Sequence, residues 1–217
     1  MKANRVTGIA AILLSGVILV ACSSSPSPSS GSTASPAPPP APVKKDPVLY
    51  TGKSCLSQMA STAARWQPDA LPFHLESAVN EESNGQGGKA TIWKAMFASP
   101  TRGTYKTFTC SGSRLKESPA MGVNSSMEIA SGGNVAGQIF QQYALTTDSD
   151  KAYEVGQEKG GADLLKKNPQ QPIVYSLDWD AKNRQLVWIV LYGTSRADSK
   201  GFGVIDASTG KFLRAGK

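Results

Sequence analysis

The chain has one histidine, His74, in 217 residues, with three cysteines, 7% aromatic residues and 18% charged residues. Each scarcity closes off some chemistry. A lone imidazole without cysteine or a second histidine at ligand spacing does not make a zinc site. A serine triad built on His74 has no Gly-x-Ser-x-Gly elbow to partner it. The segment ending Gly88-Lys89-Ala90 invites a phosphate-loop reading, but Ser83 stands where the first glycine belongs and Ala90 where the hydroxyl belongs. It reads as a hairpin loop. Asp178-Trp179-Asp180-Ala181-Lys182-Asn183 has oxygen ligands at the wrong spacing for calcium, with Lys182 in the third ligand position, and reads as a turn. Glu81 and Glu82 are adjacent carboxylates in a glycine-rich stretch, the usual mark of a solvated loop. No catalytic, cofactor or metal site is therefore expected, and the chain reads as not an enzyme.

Long apolar runs are also missing. The longest, from Val6 to Val20, falls short of the about 20 residues that span a bilayer. It has the size of a signal-peptide core, preceded by Lys2 and Arg5 and ending Leu19-Val20-Ala21-Cys22. That order resembles the lipobox of bacterial lipoproteins. The resemblance implies cleavage after residue 21 and acylation of Cys22. It further implies a lipid-anchored envelope protein, at the outer membrane facing the periplasm if the cell is Gram-negative, since Ser23 rather than Asp follows the cysteine. Residues 22–46 are rich in Ser, Pro and Ala, with no charge before Lys44, and read as a disordered tether. At about 3.1 Å per residue in polyproline II, such a tether reaches roughly 70 Å at most.

Removing residues 1–21 takes away two basic residues and lowers the formal charge from +7 to +5. The remaining Lys and Arg are scattered, without the clustered charge and interleaved aromatics of a nucleic-acid reader. With Cys22 acylated, Cys55 and Cys110 remain. In an oxidising compartment an even pair usually bridges; two buried free thiols are the alternative.

The remaining residues divide into two similar halves, 47–130 and 131–217. Trp93-Lys-Ala-Met-Phe97-Ala-Ser matches Trp188-Ile-Val-Leu-Tyr192-Gly-Thr in residue class, and each is followed by a polar turn and a second strand-like run. Helical spacing of Leu56, Met59, Ala60, Ala63 and Ala64 predicts a helix over 54–66, stopped by Pro68. A second helix is expected over 149–158, capped by Asp148 or Ser149 and ended by Gly160-Gly161, with a short helical turn over 162–167. Alternation predicts strands over 73–79 and 173–179, a turn at 180–183 and an interior return strand over 185–192. Further strands are expected over 127–130 and 138–145, with a glycine-rich joint over 131–137.

Each half thus reads as a helix followed by three or four antiparallel strands, an α+β arrangement in which the helix covers one sheet face. The second half ends Trp188-Ile-Val-Leu-Tyr-Gly, then Gly203-Val-Ile-Asp-Ala-Ser-Thr-Gly-Lys-Phe-Leu213. That ending resembles PepSY-like domains, whereas the first half has Thr109-Cys-Ser-Gly112 in the corresponding place. The doubled architecture also resembles the β-lactamase inhibitory protein family. These resemblances imply tandem PepSY-like units in a non-enzymatic, protein-binding envelope module, with a loose implication that it modulates an envelope hydrolase. The alternative expectation is a small-ligand or glycan-binding lipoprotein. Of the four tryptophans, Trp179, at a strand end beside the Asp180 turn, is the expected exposed binding residue.

Overall fold

The computed structural model describes residues 45–132 and 135–216. The Cys22 lipobox, nearly all of the tether and two residues of the glycine-rich joint lie outside the described residues. The fold is α+β, built mainly on antiparallel strands.

A two-residue strand β1 (Tyr50–Thr51) runs directly into helix α1 (Gly52–Trp66). The Thr51 side chain accepts a hydrogen bond from the Ser54 amide, which satisfies one of the helix's unpaired donors. Cys55, Leu56, Met59 and Ala63 form its buried stripe. Strands β2 (Leu71–Ala78), β3 (Lys89–Ala90), β4 (Ile92–Ser99), β5 (Thr104–Ser111), β6 (Gly122–Ser125) and β7 (Ile129–Ala130) complete the first half. The second half contains α2 (Ser149–Gly156), α3 (Ala162–Lys167), β8 (Ile173–Asp180), β9 (Gln185–Tyr192), β10 (Phe202–Asp206) and β11 (Phe212–Gly216).

Both halves contribute to one continuous sheet, ordered β11-β10-β9-β8-β2-β4-β5-β6, with β7 also on β5. β1 and β3 form a small separate pair. The seam between halves is β2 against β8, where His74, Leu75 and Glu76 face Asp178, Leu177 and Ser176. Because side chains alternate across a strand, pairing sorts residues into rows on either face. One inward row runs Phe108, Ala95, Leu75, Leu177, Trp188, Ile205, and all six are buried in the core.

The register shows why the two tryptophans sit alike. Trp93 pairs with Ser77 and Cys110, and Trp188 pairs with Leu177 and Ile205. The Trp93 indole N–H donates to the Tyr50 carbonyl at 2.9 Å, two residues before α1. The Trp188 indole N–H donates to the Thr147 carbonyl at 2.8 Å, two residues before α2. The rings meet edge to face with centroids 6.2 Å apart. The helix starts are tied together as well: the Gly52 amide donates to Ser149 Oγ, and Asp148 Oδ1 accepts from both the Lys53 and Ser149 amides. Gly52 has to be glycine here, since a Cβ would overlap the Trp188 ring.

Several local expectations differ from the structure. Residues 138–145 form no strand; they carry a 3-10 turn at Gln142–Ala144. Phe140 and Leu145 are buried while residues 141–143 between them are exposed, a spacing that period two does not produce. The strand expected over 127–130 shrinks to Ile129–Ala130, and β6 comes from the largely polar Gly122–Ser125, which carries little apolar signal. The second helix does break at Gly160-Gly161 as expected: Lys159 and Gly160 leave helical geometry, Gly160 with a φ of 110°, before α3 begins. Gly161 is buried there against Tyr192, where a Cβ would overlap the phenol hydroxyl. Packing against Tyr192 accounts for Gly161, and the left-handed backbone that breaks the helix accounts for Gly160.

Candidate functional site

α1 packs on β2, β4 and β5, and α2 on β9 and β10, so among the described residues no helix covers the opposite sheet face. Its central row, read through the pairing, is Thr109, Lys94, Glu76, Ser176, Ile189, Val204, Arg214. The adjacent row is Thr107, Met96, His74, Asp178, Val187. Charged, hydroxylic and aliphatic side chains are mixed, as on an antiparallel sheet that meets solvent or a partner on one side.

The sharpest chemical feature of this face lies on the β2–β8 seam. His74 Nδ1 is 2.6 Å from Asp178 Oδ1, and Nε2 is 3.5 Å from Glu76 Oε2. Burial of the ring opposes its charge, but its interactions with the accepting carboxylates of Asp178 and Glu76 outweigh burial and raise the pKa from 6.5 to about 9. The His74 hydrogen bond in turn holds the Glu76 carboxyl below the usual carboxylate range, against the effect of burial. A pKa of about 9 keeps the imidazole protonated at neutral pH, with Nδ1 against Asp178 and Nε2 facing Glu76. The His74–Asp178 contact thus forms an ionic clasp across the seam. Among the described residues, no group of three His, Cys, Asp or Glu side chains is arranged to hold a metal ion.

Beside the clasp is a groove of about 320 Å³ whose lining includes Glu76, Ser176, Ile189, Ser195 and Arg196. Its rim is the β9–β10 loop, folded around Asp198, which accepts from the backbone and hydroxyl of both Thr194 and Ser195. Those bonds hold the Asp198 carboxyl far below its ordinary range. Arg196 lies over the Phe202 ring at 4.9 Å, which positions its guanidinium at the groove mouth.

The clasp makes folding pH-dependent. A folded-state pKa above the unfolded one contributes stability that is complete below pH 6.5 and lost as pH rises through about 9. Glu76 and Asp178 are 46% and 36% exposed, so solvent screens the pair, and the loss is expected to be about 1–2 kcal/mol. Urea denaturation at pH 6 and pH 9.5 measures it. His74→Gln should be weaker at pH 6 and should lose this part of the pH slope; parallel profiles for the two proteins would rule the clasp out as a source of stability.

The sequence-derived candidates are distributed differently. Cys55 and Cys110 are joined in a disulfide linking α1 to β5, with Cα atoms 5.6 Å apart. Trp179 is half-buried against the core and is not among the exposed large hydrophobic residues. Its strand explains this, because Ile173, Tyr175, Leu177 and Trp179 share the inward face. The exposed apolar side chains are instead Met121, Met127 and Ile129 around β6 and β7, together with Tyr143, Leu49 and Val48. The clasp itself was not anticipated from sequence. Alternation does put residues 74 and 76 on one face, and 178 in the polar phase of its strand, but nothing local pairs positions 104 residues apart.

No protein-family profile matches this chain, and no curated protein sequence matches it. Among solved structures, it overlaps a crystal structure from Clostridium difficile 630 provisionally described as a lipoprotein. The two are 10% identical, the overlap covers 80% of this chain and 95% of that one, and the TM-score is 0.48.

Proposed function

We propose that this chain is a lipid-anchored cell-envelope module that works by binding another envelope protein rather than by catalysis, and that its halves are tandem PepSY-like units. The observation that carries the reading is the helix-free sheet face, where rows of Lys94, Glu76, Ser176, Ile189 and Arg214 span the strands of both halves. A face of this kind, mixed in chemistry and supported from behind by a packed core, suits contact with a protein surface. The basic, apolar and Cys22 order of the N-terminus supports anchoring, and residues 22–46 supply the reach. The PepSY resemblance favours an envelope hydrolase as partner, and the lipobox favours the outer membrane facing the periplasm in a Gram-negative cell. A Cys22→Ser variant is expected to lose membrane association.

Photo-crosslinking in intact cells tests the binding reading. A photoreactive residue at Thr109, Ser176 or Arg214 should yield a discrete protein adduct, and one at Gln58 or Lys151 on the helix side should not. Adducts from the helix side alone, or saccharide adducts without protein, would overturn it, the latter in favour of a glycan-binding lipoprotein.

A further inference from the structure

We propose that the outer edge of β11, with the groove beside it, takes an extended acidic segment of a partner protein as an added strand. This rests on the protein-binding reading above and adds to the contact on the open sheet face a second one, at the sheet's edge, with the same partner.

The two ends of the sheet differ. At one end β6 and β7 are separate short pieces on β5, interrupted at Ser126. There Ser126 donates its amide to the Thr107 carbonyl and accepts the Thr107 amide on its hydroxyl. A broken edge with side chains on the ladder resists further pairing. At the other end β11 is a single five-residue strand, and among the described residues no strand pairs with its outer side. Its Arg214 and Ala215 are exposed. Such an edge presents backbone donors and acceptors to a strand-forming guest.

A groove of about 340 Å³ lies against the same strands, lined by Gly203, Phe212 and Ala215 from the sheet and by Gly160, Gly161 and Leu164 from the helical side. Gly203 has no packing requirement to be glycine. A Cβ there would come no closer than 3.5 Å to the Phe212 ring, an ordinary contact, and its φ is not positive. The missing side chain leaves room for a guest's apolar side chain between sheet and helix. The charged residues lining this groove are both cations, Lys159 and Lys200, and Lys211 is exposed where the chain enters β11. Lys159 already lies 6.0 Å from the centre of the Phe212 ring. A strand edge with no partner strand among the described residues, an apolar slot and a cationic rim together specify an extended chain with one apolar side chain flanked by Asp or Glu.

The test uses the full chain and a capped, fluorescently labelled peptide of alternating Glu and Val around a central photoreactive Phe analogue. Saturable binding tighter than about 1 mM is expected, with labelling confined to residues 200–216 and 159–164. N-methylation of alternate peptide residues, Gly203→Leu, or Lys159→Glu with Lys200→Glu should each weaken binding about tenfold or more. The double lysine variant should keep its thermal midpoint, because both side chains are exposed, so its lost binding is not lost folding. Labelling on the open sheet face or at β6–β7, equal binding of the N-methylated peptide, or no saturable binding would overturn the proposal. If Gly203→Leu leaves a protein adduct from the open sheet face intact in cells, this inference fails and the binding reading stands. If no protein adduct forms at any position, the binding reading fails.

Discussion

Replacing Cys55 and Cys110 together with alanine is expected to lower stability by about 4 kcal/mol. The bridge closes a loop of 55 residues of sequence separation, and chain entropy assigns about that value to a loop of this length. Both cysteines are fully buried, so the alanines remove little volume and leave no polar atom unpaired. For a domain of this size the thermal midpoint should fall by roughly 8–16 °C. Corresponding positions in the second half, three residues into α2 and opposite Trp188, are the buried Ala152 and Ile205. Only the first half is therefore stapled. Hydrogen exchange of the double variant should show α1 and β5 losing protection before α2 and β10. Equal urea midpoints for the bridged protein and the double variant would sink the expectation.

The tryptophan pair carries the second large effect. Trp93 and Trp188 are fully buried, each with its indole N–H on a carbonyl that precedes a helix. Either one changed to alanine is expected to cost about 3–5 kcal/mol, by lost burial and the cavity left behind. The stranded Tyr50 or Thr147 carbonyl adds about 1 kcal/mol or more. Because the rings touch edge to face across the two halves, the double variant should cost less than the sum of the single changes, by about 0.5–1.5 kcal/mol. A urea double-mutant cycle reads this coupling. Additivity within error would mean that the halves are stabilised independently at this point.

Much of the architecture was legible because it is periodic. Leu56, Met59 and Ala63 recur at helical spacing and are buried on α1. Ile173, Tyr175 and Leu177 alternate and are buried on β8. The matched Trp93 and Trp188 segments identify strands that occupy like positions in the sheet. Trp179 shows the cost of weighing one local cue over another: alternation already placed it inward, and its nearness to the Asp180 turn argued the other way. The segment from 138 to 145 failed for a different reason. Phe140 and Leu145 are anchored by distant partners, so a stretch without regular hydrogen bonding still carries apolar residues. The function-bearing features were less legible. His74 by itself is an unremarkable strand residue, and its charge depends on Asp178, which arrives from the other half of the chain.

The sequence alone determined the class of elements, the likeness of the Trp93 and Trp188 segments, the spacing of the cysteines and the residue types available for chemistry. These follow from local backbone periodicity and composition, which act over a few residues. The tertiary structure decided that both halves share one sheet and that β2 meets β8. It also decided that His74 meets Asp178, and, among the described residues, which face carries no helix and that β11 is the last strand of the sheet, beside a groove. Those outcomes depend on which strands pair across long loops. Strand pairing is settled by the burial of whole rows of side chains at once, and a single stretch of sequence carries no record of the row it will join.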